Sequence, residues 1–178
     1  MKIDPDEIDI TLLSDSILVN RFSCKEKDGS RPLQIFFRNH ALDNQNKKLS
    51  VTWIIVKKSN LSVPLGYFSL ACASIDVDDL DTDYWDGRPE YDRFPAILIG
   101  KFAVDDRHQG IGVGTLLMDY VYAIAIRLSE IIGCRYLIVE SKSTSTWFYE
   151  DTCNFVRIRE LDGGNVLFYK NVVTLTGE

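Results

Sequence analysis

Residues Phe102–Leu117 read FAVDDRHQGIGVGTLL. An apolar strand end, Phe102-Ala103-Val104, gives way to a polar turn, and Gln109-Gly110-Ile111-Gly112-Val113-Gly114-Thr115 then opens a helical stretch. Glycines at a helix start let successive backbone N–H groups converge with no side chain in the way, which makes an anion site suited to phosphate. Three patterns compete for this turn. A Walker A loop needs Lys-Ser/Thr after its last glycine, and Thr115-Leu116 lacks that lysine. A dinucleotide fingerprint needs G-x-G-x-x-G against the first strand, whereas the spacing here is G-x-G-x-G on about the fourth strand. The pattern that fits is Q/R-x-x-G-x-G, met by Gln109, Gly112 and Gly114.

Outward from the turn, Thr115–Ile132 predicts a long helix with Leu117, Val121, Ala125, Leu128 and Ile132 on one face, closed by Gly133 as its C-cap. Upstream, Ala96–Val104 predicts an apolar strand with Gly100 inside it, a sign of a bulge or close backbone approach. Ile8–Val19 is expected to open the sheet, and Pro32 suits the first turn of a helix over Leu33–Leu42. Val51–Val56 and Gly66–Ala73 are expected to form a hairpin across Lys57–Val63. Downstream, Tyr136–Glu140 predicts a buried strand and about Thr144–Thr152 a short helix, with Asn154 able to take the left-handed conformation. Gly163-Gly164 predicts a hairpin turn before a last strand, Val166–Tyr169. The fold class is α/β (α+β), one sheet flanked by helices.

The chain has 178 residues, 46% hydrophobic and 26% charged, which excludes collagen-like, low-complexity and wholly disordered readings. One domain over residues 1–178 is expected. Cys24, Cys72, Cys134 and Cys153 form no C-x-x-C pair, and with only His40 and His108 beside them no metal site is expected. The start, MKIDPDEIDI, is acidic, and no apolar run approaches the ~20 residues of a membrane span, so a cytoplasmic protein is expected. The net charge of −6 is uneven: residues 76–92 hold eight acids against Arg88, so the segment carries −7 and the rest sums to about +1. Tyr84, Trp85 and Tyr91 lie within it, and aromatics beside carboxylates suit cationic ligands.

With Gln109–Gly114 and Phe102–Val104 in place, the sequence resembles the GNAT superfamily of acetyl-CoA-dependent N-acetyltransferases. A second element, Val139–Phe155 (VESKSTSTWFYEDTCNF), is similar to the family's fifth strand and fourth helix through Phe148-Tyr149 and Phe155, with Asn154 where glycine is usual. Phe22–Cys24, a helix ending Asn39-His40-Ala41-Leu42, Pro64–Leu70, Pro95–Asp105 and Phe148–Glu150 look like the toxin-type subgroup that acetylates aminoacyl-tRNA. The resemblance implies a central mixed, mostly antiparallel sheet flanked by helices. It also implies an acetyl-CoA site built from Phe102, Ala103, Val104, Gln109, Gly110, Ile111, Gly112, Val113, Gly114 and Thr115. Tyr149 matches the general acid, and an antitoxin protein and a homodimer are possible partners.

Acetyl transfer requires a polarised thioester carbonyl, a neutral amine and a proton for the leaving thiolate. A phenol near pKa ~10 is about 1.5 units, ~2 kcal/mol, uphill of a thiol near ~8.5, which amide formation can drive. Ala96–Val104 carries only Lys101 as an ionisable residue, so no strand carboxylate offers a base. Neutralising a lysine-like amine at pH 7 costs about 4.6 kcal/mol, an α-amine about 1.4, and the absence of a strand base favours the α-amine, with Asp or Glu of the acidic segment acting through water as the open alternative. Lys25, Lys27, Arg31, Lys47, Lys48, Lys57, Lys58, Arg157 and Arg159 are candidates for a basic face toward tRNA. Two alternatives remain: a small-molecule or polyamine acetyltransferase using the acidic segment, and a non-catalytic module that binds acetyl-CoA.

Overall fold

The structure, a computed structural model, describes residues 2–80 and 91–175. Residues 81–90 of the acidic segment, with Tyr84 and Trp85, lie outside the described residues. Seven strands follow the hydrogen-bonded order β1-β2-β3-β4-β5-β7-β6. They are β1 Ile8–Leu12, β2 Val51–Lys57, β3 Asn60–Asp76, β4 Arg93–Val104, β5 Tyr136–Lys142, β6 Val156–Glu160 and β7 Asn165–Asn171. Three α-helices accompany them: α1 Pro32–Asn39, α2 Ala41–Asn46 and α3 Val113–Ile132. Of the pairings described, only β4–β5 is parallel, and α3 supplies the crossover that a parallel pair needs. The sheet is mixed and mostly antiparallel, as expected.

Contacts divide the chain into two compact units, Met1–Ala71 with Gly100–Asp119, and Cys72–Ile99 with Tyr120–Glu178. In the first, β1, β2 and the start of β3 form an antiparallel meander in which Lys57 pairs with Asn60, so the hairpin turn is only Lys58-Ser59. β3 therefore starts six residues before the expected Gly66. β1 stops at Leu12, short of the expected Val19, because Leu13 and Ile17 turn into the core. The expected helix at Leu33–Leu42 is broken at His40 into α1 and α2, with Pro32 in the first turn. Phe22, Phe37 and Tyr67 make the aromatic centre, with rings 4.4–5.4 Å apart. The Tyr67 hydroxyl donates to the Leu33 carbonyl at 2.7 Å, which satisfies a polar atom in an apolar site.

In the second unit, Ala96–Ile99 of β4 pairs with Tyr136–Val139, β5 with β7, and β7 with β6. Tyr136, Ile138 and Tyr169 pack with Ile75, Leu80 and Ala96. Val121 and Ala125 of α3 are buried as expected, but Ile132 is 62% exposed because it sits at the end of the last turn, where Gly133 at φ +61° reverses the chain. Gly163 and Gly164, at φ +88° and +80°, make the β6–β7 turn. Among the described residues no helix is long and apolar enough to cross a membrane.

Candidate active site

The glycine-rich turn belongs to the first unit. Phe102-Ala103-Val104 ends β4, with Ala103 buried in the core. Asp105 follows, its N–H donating to the Leu65 carbonyl at 2.8 Å. A 3₁₀ turn, Asp106–His108, leads to Gln109, whose Nε2 donates to the Val104 carbonyl at 3.2 Å. Gly110 and Gly112 have φ of +73° and +97°, a region where a side chain is strained. A Cβ at Gly110 would face open space. Leu116 N–H donates to the Gly112 carbonyl at 3.2 Å, but the N–H groups of Val113, Gly114 and Thr115 precede the first intrahelical bonds and find no acceptor among the described residues. Unfilled donors, the positive end of a 20-residue helix and open space beside glycine together fit a pyrophosphate.

Two residues that hold this turn escaped the sequence reading. Asp105 is fully buried, and its carboxylate accepts from Ser23 N–H, Arg107 N–H and the Arg107 guanidinium at 2.8–3.0 Å. Burial opposes its charge, yet these bonds outweigh burial and hold its pKa below the usual carboxylate value. Its signal in the sequence is an acid set directly after a buried strand. Gly66, on β3, is the second: a Cβ there would lie 2.8 Å from Leu117 Cδ1 and 3.0 Å from the Ala103 carbonyl. A glycine inside a strand pattern is the corresponding signal. His108 faces the Asp105 carboxylate, with Nδ1 3.4 Å from Oδ1.

Tyr149 belongs to the second unit, in a π-helical turn, Phe148–Thr152, where a 3₁₀ turn and helix were expected as one short helix. The wider i→i+5 winding, Cys153 N–H to the Phe148 carbonyl at 3.0 Å, is a form frequent at functional sites. Asn154 takes φ +53° as expected, and Phe155 N–H closes onto the Tyr149 carbonyl at 2.8 Å. Phe148, Phe155 and Phe168 surround the Tyr149 ring at 5.4–6.1 Å. Burial pushes its pKa well above the ordinary phenol value, with the Cys153 thiol adding to the rise, so the phenol keeps its proton across the physiological range. The Cys153 carbonyl accepts from the Tyr122 hydroxyl at 2.9 Å and from Lys170 Nζ at 3.0 Å, which anchors the end of this turn.

The described carboxylates of the acidic segment include two in ion pairs, Asp76 with Arg93 and Asp79 with Arg159, both at 3.0 Å. Arg157 pairs with Glu160 at 3.0 Å and approaches Glu150 at 3.6 Å. Arg157 and Arg159 thus carry compensated charge, unlike a bare basic face. Lys101 Nζ lies 5.4 Å over the Phe36 ring. Cys24, Cys134 and Cys153 are buried and Cys72 is exposed, all as free thiols.

The profile of the Acetyltransferase (GNAT) family matches residues 38–155. A tRNA-acetylating toxin of Mycobacterium tuberculosis (strain ATCC 25618 / H37Rv) is 26% identical over 129 residues, 72% of each chain. Among solved structures, AtaT complexed with acetyl-methionyl-tRNAfMet matches with a TM-score of 0.81 at 20% identity, covering 96% of this chain and 98% of that one. A Tyr-to-Phe variant of KacT matches with a TM-score of 0.83 at 20% identity over the same shares. These two likenesses concern the fold.

Proposed function

The chain belongs to the GNAT acetyltransferase family, and on that premise we propose that its 178 residues form one catalytic domain that moves acetyl from acetyl-CoA to the α-amine of aminoacyl-tRNA. Acetyl-CoA supplies an activated thioester. The observation that carries the reading is the cradle of unfilled N–H groups at Val113, Gly114 and Thr115 behind left-handed Gly110 and Gly112. It holds the pyrophosphate, while the strand end Phe102–Val104 lies along the pantetheine arm and a backbone N–H near Ala103–Val104 polarises the thioester carbonyl.

Tyr149 acts as general acid for the thiolate. Its raised pKa makes it a weaker acid than a phenol in water, so the proton transfer is uphill by more than the ~2 kcal/mol of the unperturbed pair, and amide formation drives it. The acceptor follows from the missing base. Between Ala96 and Val104 the ionisable side chain is Lys101, a cation, so this strand offers no carboxylate base and favours an amine that is cheap to neutralise. An α-amine esterified to tRNA, at about 1.4 kcal/mol, fits that better than a lysine-like amine at about 4.6.

The tRNA-acetylating toxin of M. tuberculosis supports this acceptor class. A structure of AtaT bound to the C-terminus of its antitoxin AtaR supports an antitoxin partner for this chain. A cytoplasmic setting, where charged tRNA is found, goes with the proposal. The pairing of Asp76 and Asp79 with arginines weighs against a polyamine acceptor at the acidic segment. Incubation with radiolabelled acetyl-CoA and a cell lysate, followed by separation of tRNA, protein and small molecules, tests the reading. Label on alkali-labile charged tRNA is expected; label on small cationic amines overturns it.

A further inference from the structure

A glycine turn with left-handed residues has many accessible conformations, and something must select the one whose N–H groups converge. The turn is pinned at its two ends. At the far end, Ile3 N–H donates to the Ile111 carbonyl at 2.8 Å. At the near end, the Asp105 carboxylate ties two residues together, Ser23 and Arg107. Its Oδ2 accepts from Ser23 N–H at 2.8 Å and from Arg107 Nη2 at 2.9 Å. Its Oδ1 accepts from Arg107 N–H at 3.0 Å and Arg107 Nε at 2.8 Å. Arg107 Nη2 also reaches the Arg21 carbonyl at 2.7 Å. Asp106 completes the staple: its N–H donates to the Ser23 carbonyl at 2.8 Å, and its carboxylate accepts from Ser23 Oγ at 2.9 Å and Lys25 N–H at 3.1 Å.

We propose that Asp105 is a positioning residue for the coenzyme: its buried carboxylate locks residues 105–108 against the segment 21–25 and thereby aims the N–H groups of Val113, Gly114 and Thr115 at the pyrophosphate. The inference rests on the reading of the turn as the pyrophosphate cradle. It carries a sign that electrostatics alone reverses. Asp105 and Asp106 are negative charges a few residues from a site for a polyanion, so Coulomb repulsion by itself has their removal tighten coenzyme binding. Positioning has their removal weaken it.

The test compares Asp105→Asn, Asp106→Ala and Gly112→Ala for acetyl-CoA KM, kcat at saturation, acceptor KM and coenzyme affinity by calorimetry. Asp105→Asn is expected to raise acetyl-CoA KM about tenfold, with kcat within about twofold and acceptor KM unchanged. Asp106→Ala, on an exposed side chain, moves KM the same way by about threefold and serves where Asp105→Asn fails to fold. Thr52→Val, which removes one partner of the buried Thr52–Ser69 hydroxyl pair at 2.8 Å, lowers stability without moving KM and separates positioning from general loosening. Unchanged or lowered KM in a folded Asp105→Asn or Asp106→Ala enzyme overturns the proposal when Gly112→Ala still raises KM. If Gly112→Ala also leaves KM untouched, the cradle reading itself falls and takes the proposal with it.

Discussion

Replacing Gly66 with alanine separates two effects that usually work together. Alanine is the better strand residue, by about 0.5–1 kcal/mol, because glycine loses more backbone freedom on folding. The structure opposes that gain. The new methyl carbon would stand 2.8 Å from Leu117 Cδ1, 3.0 Å from the Ala103 carbonyl oxygen and 3.3 Å from Val113 Cγ1. Leu117 and Val113 are buried, and the Ala103 carbonyl is backbone. Overpacking of this kind costs about 1–3 kcal/mol, so the net change is a destabilisation of roughly 1–2 kcal/mol. For a chain of this size that lowers Tm by about 2–8 °C. Since Val113 and Leu117 form the first turn of α3, the shift also displaces the N–H groups of the cradle, and acetyl-CoA KM rises. Calorimetric unfolding with and without acetyl-CoA, beside steady-state kinetics, reads both. A Gly66→Ala protein as stable as the parent would refute the close approach of β3 to α3.

Lys170→Met removes the ammonium that caps the Cys153 and Asn154 carbonyls at 3.0 and 3.1 Å. The turn carrying Tyr149 then loosens, stability drops by about 1–2 kcal/mol, and kcat falls with acetyl-CoA KM unchanged, as stopped assays at saturating coenzyme will show. Because the Asp105 pKa is depressed in the fold, its contribution is present above the ordinary carboxylate value and lost as pH falls through the folded one. Urea midpoints followed below about pH 5 should therefore fall more steeply for the parent than for Asp105→Asn. Arg159→Ala breaks an exposed pair with Asp79 and should leave Tm unchanged in a melting scan.

Much of this architecture is written in local chemistry. The left-handed positions at Gly110, Gly112, Gly133, Asn154, Gly163 and Gly164 are all residues that tolerate positive φ, and each was legible as a turn or cap. The apolar runs of β2, β4 and β5 and the buried face of α3 follow from periodicity. What periodicity missed is where burial and pattern part company. β6, VRIRE, is an edge strand with Arg157 and Arg159 turned to carboxylates, and its apolar face is only Val156 and Ile158, too short to announce it. β1 was read too long because Leu13 and Ile17 are apolar yet sit in a turn that enters the core. α1 and α2 looked continuous because nothing in His40 signals a break. Asp105 shows only as an acid directly after a buried strand, since what it holds becomes clear only when Ser23, 82 positions away, donates to it beside Arg107. The glycine-rich turn and the Phe148-Tyr149 turn were legible as local motifs, while the residues that hold them in place were not.

The most direct test of the account uses one defined aminoacyl-tRNA, acetyl-CoA and the purified protein, with nuclease digestion and mass spectrometry of the released aminoacyl-adenosine. The parent enzyme should yield N-acetylaminoacyl-adenosine, with no product from uncharged tRNA. Tyr149→Phe should bind acetyl-CoA as before while kcat falls by about 100-fold, within the usual span for a lost general acid. An unacetylated aminoacyl-adenosine from the parent enzyme would contradict the acceptor, and an undiminished kcat in Tyr149→Phe would contradict the acid.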